Sequence, residues 1–100
     1  MKKNVPDNSS MTIKWLERAL DDLESLREYI ENDNPSASEK VMQHLIKSLD
    51  YLMDNPELGR LGRAKNTREL LLSGLPYVII YKIKNNFIEV LRIFHGAMNW

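Results

Sequence analysis

Three runs near the C-terminus, Thr67 to Leu72, Tyr77 to Lys84 (YVIIYKIK) and Phe87 to His95 (FIEVLRIFH), are rich in β-branched and aromatic residues and read as successive strands. Ser73-Gly74-Leu75-Pro76 separates the first two, and Asn85-Asn86, both tolerant of positive φ, suits a two-residue type I′ turn between the last two. With that turn, Lys84 faces Phe87, Lys82 faces Glu89, Tyr81 faces Val90 and Ile79 faces Arg92. So small a sheet needs a covering layer to be stable in water.

The layer lies upstream. Leu16, Ala19, Leu20, Leu23, Leu26, Tyr29 and Ile30 recur at helical spacing, predicting a helix from Leu16 to Asn32 whose solvated side carries Glu17, Asp21, Asp22, Glu24 and Glu28. Asn34-Pro35 suits an N-cap and first helical position, with Ser36 and Glu39 as a capping-box alternative. The second helix presents Val41, Met42, Leu45, Ile46, Leu49, Leu52 and Met53 on one stripe and ends at Asn55-Pro56. Both stripes read as core, and so short a break makes the helices an antiparallel hairpin. Glu57 to Lys65 reads as a loop turning on Gly59 and Gly62, and Met11 to Trp15 alternates as a short strand. The expected fold is α+β: an N-terminal strand and an antiparallel helical hairpin packed on a small antiparallel sheet. Residues 1–10 are polar and aperiodic, a disordered tail before a domain spanning 11–100.

A chain of 100 residues holds one modest core. Without cysteine it has neither disulfides nor thiolate metal sites, which fits a cytoplasmic protein. No apolar run is long enough to span a membrane, and the lysines of MKKNVPDNSS precede no apolar signal segment. The net charge of zero hides a division. Residues 1–57 carry seven Lys and Arg against twelve Asp and Glu, and residues 58–100 carry seven against two. An acidic helical half and a basic strand half direct anionic partners to the second.

The chemistry is sparse. His44 and His95 are far apart in sequence and lack cysteine helpers, so no metal or cofactor site is expected. No serine sits in a nucleophile elbow, and Gly59-Arg60-Leu61-Gly62-Arg63 lacks the GK[ST] ending of a phosphate loop. The basic set Arg60, Arg63, Lys65, Arg68 and Arg92 stands out. Arg92 interrupts Val90-Leu91-Ile93-Phe94 and needs a carboxylate such as Glu69, a route to the rim, or an anionic ligand. Arginines with a group that titrates near neutrality, here His95, are the minimum for metal-independent RNA cleavage. Tyr77 and Tyr81 share a strand face, as core residues or as stacking platforms for bases, and Trp15 staples the first strand to the first helix.

The succession of helical hairpin, Asn55-Pro56-Glu57-Leu58-Gly59, Arg68-Glu69, Gly74-x-Pro76-Tyr77, Tyr81 and Leu91-Arg92-Ile93-x-His95 resembles the ParE/RelE superfamily of bacterial toxins from type II toxin–antitoxin modules. The resemblance runs from Met11 to Trp100 and is most specific in the C-terminal third. It implies a growth-inhibiting toxin, of the kind that stabilises plasmids, neutralised in a hetero-oligomer by a cognate antitoxin wrapped over hairpin and sheet. Leu20, Leu23, Val41, Leu45 and Tyr77 are the residues it would cover. RelE-like members cut mRNA at the ribosome with basic side chains, a role that would fall to Arg68, Arg92 and His95. ParE-like members inhibit DNA gyrase without catalysis. Arg60, Arg63, Lys65, Arg68, Tyr81, Arg92 and His95 are the implied target- or nucleic-acid-binding set. Ala97 and Met98 stand where the nucleases carry a cation after the His-Gly pair, which favours the ParE side and a non-enzymatic gyrase inhibitor. A decayed toxin that only binds antitoxin as co-repressor is the remaining alternative.

Overall fold

The computed structural model describes residues 11–95; the expected tail at 1–10 and the segment 96–100 lie outside the described residues. The elements run β1 (Thr12–Trp15), α1 (Glu17–Asp33), α2 (Pro35–Asp54), β2 (Arg60–Leu61), β3 (Arg68–Leu71), β4 (Tyr77–Lys84) and β5 (Phe87–His95). The five strands form one sheet in the order β1-β5-β4-β3-β2. This is the expected α+β arrangement, with two differences. A two-residue strand, β2, lies inside the stretch read as loop and pairs antiparallel with β3. And β1 runs parallel to β5, Thr12 opposite Phe87 through Trp15 opposite Val90, so the sheet is mixed rather than antiparallel. Parallel neighbours require a long crossover, which the rest of the chain supplies.

The helix junction follows its local chemistry. Asn34 is extended, its Oδ1 accepts from the Ala37 backbone N–H at 3.2 Å, and Pro35 occupies the first turn, where its missing N–H costs nothing. The Asn34 N–H itself donates to the Ile30 carbonyl, so one residue ends α1 and begins α2.

Burial is unequal between the helices. α2 buries Val41, Met42, Leu45, Leu49 and Leu52. They pack in one cluster with Leu70, Leu72, Ile79, Tyr81, Ile88 and Val90 of the sheet. Each of those leucines contributes roughly 1.5–3 kcal/mol by leaving water. α1 buries only Ala19 and Ile30. Leu20 stays 47% exposed, Tyr29 73% and Ile46 57%, so the expectation that both stripes are core holds for α2 apart from Ile46 and fails for Leu16, Leu20 and Tyr29 of the first stripe.

The hairpin register matches the expected pairs from Lys84–Phe87 through Tyr81–Val90, then slips. Ile80, not Ile79, lies opposite Arg92, which leaves Leu91 as the extra residue of a β-bulge. Strict alternation would have carried the inward series Ile88 and Val90 on to Arg92. The bulge hands that position to Ile93, 6% exposed, and spares the core an arginine.

Tyr81 is the polar anchor of the core. Fully buried, it donates its hydroxyl to the Pro56 carbonyl at 2.7 Å and accepts the Gly59 N–H at 2.9 Å. Gly59 must be glycine here, because a Cβ would come within 2.7 Å of the Tyr81 hydroxyl and 2.8 Å of Cε1. Among the described residues, no buried side-chain polar atom lacks a hydrogen-bond partner.

Two predictions follow from this anchor. Gly59→Ala should lower unfolding free energy by about 1–3 kcal/mol in urea titration, since the neighbours it meets are a locked ring and backbone. Burial raises the Tyr81 phenol above its ordinary value of 10.0, only partly opposed by the Gly59 hydrogen bond and the Arg68 charge. The unfolded tyrosine therefore ionises first, and stability should decline as pH climbs past that ordinary value. Burial raises Tyr77 as well, so Tyr81→Phe should remove part of the alkaline decline, measured by denaturation at stepped pH.

Candidate functional site

The apolar surface left by α1 forms a groove of about 380 Å³ between the helices, lined by Trp15, Leu20, Leu23, Met42, Leu45 and Ile46. Glu24 and Arg27 border it. Ile46 is 57% exposed, and nearby Leu16 is 40% exposed. Such a strip, apolar in the middle and charged at the rim, is the surface a partner's apolar segment would bury. Of the residues implied as antitoxin contacts, Leu20 and Leu23 open into the groove. Leu45 forms its floor, at 2% exposed, while Val41, at 8%, belongs to the core. Tyr77 lies elsewhere, at a second cleft. Ile46 and Leu16 were not singled out for this surface, although Ile46 sits on the same helical stripe and was readable from its spacing.

The second cleft, about 310 Å³, lies between α1 and the end of the sheet, where Tyr29, Tyr77, Phe94, His95 and Arg92 meet. Beyond Val90, β5 has no β1 residue beside it. There Asp22 takes three hydrogen bonds: Arg92 donates from Nε at 2.7 Å and from Nη2 at 3.0 Å, and the Ile93 N–H donates at 2.9 Å. Arg92 also stacks 4.5 Å over the Phe94 ring. Its pKa is raised first by the hydrogen bonds to Asp22, against an opposing cost of burial. The partner of Arg92 is thus Asp22, not Glu69. Asp22 was assigned to the solvated face of α1, and nothing in its own spacing marks it, because the contact joins residues 70 positions apart.

The other basic residues also have structural duties. Glu69, 5% exposed, pairs with Arg60 at 3.1 Å and accepts the Arg63 backbone N–H at 3.3 Å. Arg68 donates from Nη1 to the Gly59 carbonyl at 2.7 Å and to the Glu57 carbonyl at 3.2 Å, tying down the same loop as Tyr81. Arg63 and Lys65 lie exposed on that loop. Tyr81 offers no surface at all, which corrects its place among the target-binding residues.

Arg68, Arg92 and His95 do not form one cluster. Arg92 and His95 line the same cleft beside α1, whereas Arg68 stands on β3 opposite Tyr81, with β4 between it and them. His95 sits opposite Tyr77, edge-on to it with ring centres 5.7 Å apart. Among the described residues, no group of three or more metal-ligating side chains comes together, and no helix is long and apolar enough to cross a membrane.

A helical hairpin thus covers one face of a five-stranded mixed sheet and leaves an apolar groove between the helices. Residues 13–100 match the family described as ParE toxin of type II toxin–antitoxin system, parDE. The chain belongs to that family, within the ParE/RelE superfamily of toxins. It is 39% identical over 92 residues to the Y4kP protein of Sinorhizobium fredii, covering 92% of this chain and 95% of the relative. It is 38% identical over 85 residues to toxin RelE2 of Caulobacter vibrioides, covering 85% and 94%. Its fold matches a chain of the chromosomal ParDE system of P. aeruginosa with a TM-score of 0.77 at 24% identity, covering 87% of this chain and 97% of that one. It matches a chain of the intact E. coli RelBE toxin–antitoxin complex with a TM-score of 0.59 at 16% identity, covering 90% and 100%.

The Asp22–Arg92 pair carries its own test. Asp22→Ala leaves a partly buried guanidinium and the Ile93 N–H without their acceptor, and should cost about 2–3 kcal/mol in chemical denaturation. A double-mutant cycle with Arg92→Leu should return a coupling of about 1–3 kcal/mol, whereas additive losses would show that the two groups act independently.

Proposed function

We propose that this toxin acts by binding DNA gyrase as a protein–protein inhibitor, without catalysis of its own, and is silenced by a cognate antitoxin seated in the α1–α2 groove. The separation of Arg68 from Arg92 and His95, with Arg92 held by Asp22, is the observation that carries the first half. Cleaving a phosphodiester requires cations gathered where charge develops in the transition state. Here Asp22 neutralises Arg92, two carbonyls occupy a nitrogen of Arg68, and His95 stands across β4 from Arg68. Ala97 and Met98 add no positive charge after His95. The groove supports the second half, because a chain this small exposing Leu16, Leu20 and Ile46 side by side has surface for a partner to bury. The ParDE and RelBE assemblies with the same fold are toxin–antitoxin systems, which fits such a partner.

A second reading, a ribosome-dependent mRNA endonuclease, draws on one observation: the relative from Caulobacter vibrioides bears the name RelE2. On that reading Arg92 would have to leave Asp22 and, with His95 in the same cleft, face the RNA without Arg68, which lies beyond β4.

Purified gyrase with supercoiled-product readout separates the two. Micromolar toxin should inhibit supercoiling, and Arg92→Ala with His95→Ala should leave growth inhibition in place. Unimpaired gyrase together with cleavage of mRNA in the ribosomal A site would replace the first reading with the second. A strain that grows normally after induction without antitoxin would indicate a decayed toxin. For the groove, Leu20→Asp with Ile46→Asp should weaken antitoxin binding at least ~100-fold in calorimetry, as expected when charges enter the centre of an apolar contact.

A further inference from the structure

The basic half of the chain has a cleft that neither the helix groove nor the Asp22–Arg92 site uses. β3 begins at Arg68, opposite Tyr81, so Lys82, Ile83 and Lys84 of β4, paired with β5 on one edge, run on past it with no strand on the other. The preceding loop is held away from that edge by the Gly62 N–H on the Thr67 carbonyl at 2.8 Å and the Thr67 hydroxyl on the Ala64 carbonyl at 2.6 Å. Asn66, at φ 64°, makes the turn. The result is a notch of about 400 Å³ whose lining includes Arg68, Lys82 and Lys84 and no carboxylate. Lys65 extends the positive charge along the adjoining loop, where it is exposed.

We infer that this notch binds the phosphate backbone of duplex DNA, independently of base sequence. Lys82 and Lys84 line it from one side of β4, and Arg68 closes its end, its guanidinium fixed by the Glu57 and Gly59 carbonyls. The carboxylate nearest the lysines, Glu89, lies across on β5 and reaches Lys84 only at 3.8 Å, with the lysine 46% exposed, so competing phosphate can displace it. Lys82 and Lys84 stand two residues apart on one face, about 6.6 Å along the strand. Single-stranded nucleic acid is the poorer fit. It depends on bases stacking on aromatic rings, and no ring lines the notch. The nearest tyrosine on β4, Tyr81, is fully buried with its hydroxyl engaged. Contacts to backbone phosphate position a protein without reading sequence. This surface would therefore hold the toxin on whatever DNA its macromolecular target carries.

The test is fluorescence anisotropy of the full chain with a labelled mixed-sequence duplex over a salt series. The expected result is sequence-tolerant binding whose logarithm falls linearly with the logarithm of salt concentration. Lys82→Ala with Lys84→Ala should flatten that slope by about two and weaken low-salt binding roughly tenfold. Lys82→Arg with Lys84→Arg should restore both, which excludes misfolding as the cause. The inference fails if the parent chain does not bind duplex at low salt. It fails equally if a single strand of the same sequence binds tighter, or if the alanine pair leaves affinity and slope unchanged. None of these measurements contains gyrase, so their outcome stands apart from the supercoiling assay.

Discussion

The packing of α2 against one face of the sheet is the constraint from which the other surfaces follow. Val41, Leu45, Leu49 and Leu52 fill that face together with Leu70, Ile79, Tyr81, Ile88 and Val90. Five short strands leave little inward area beyond what this helix covers. α1 therefore contributes Ala19 and Ile30 to the core, and Leu16 and Leu20 remain in contact with water. A helix with an apolar stripe wider than its own fold can bury is poised for a partner, and the groove beside α2 is the consequence.

The same economy governs charge. A cation near a sheet needs a partner when partly desolvated. This chain satisfies Arg60 with Glu69, Arg92 with Asp22, and part of Arg68 with loop carbonyls. Each pairing holds a segment in place: the loop after α2 in the first and third cases, the open edge of β5 in the second. Arginines committed in this way scaffold the molecule, whereas Lys84 of the β4 notch makes only a long pairing to Glu89, at 3.8 Å.

The strands β4 and β5, the Asn34-Pro35 junction and the end of α2 at Asn55-Pro56 were legible residue by residue, because turn chemistry and period-two or helical spacing are local. β2 was not, since two residues of extended chain carry no period. The parallel direction of β1 was not either, as alternation gives a strand's faces but not its neighbour's direction. The bulge at Leu91 had a signal in hindsight. An arginine on the inward parity of Ile88 and Val90 is a conflict, and a one-residue slip resolves it.

Of the candidate site, composition and spacing determined which residues are cationic, which helix faces are apolar, and that the strand half is the positive one. Spacing also placed Leu20, Leu23 and Leu45 on stripes that meet. Only the tertiary structure decided which apolar residues stay exposed, that Asp22 rather than Glu69 holds Arg92, and that Arg68 is kept apart from the cleft Arg92 and His95 share. The reason is physical. Periodicity reports the direction a side chain takes from its own element, whereas burial and ion pairing depend on what another element, tens of residues away, brings to the same spot.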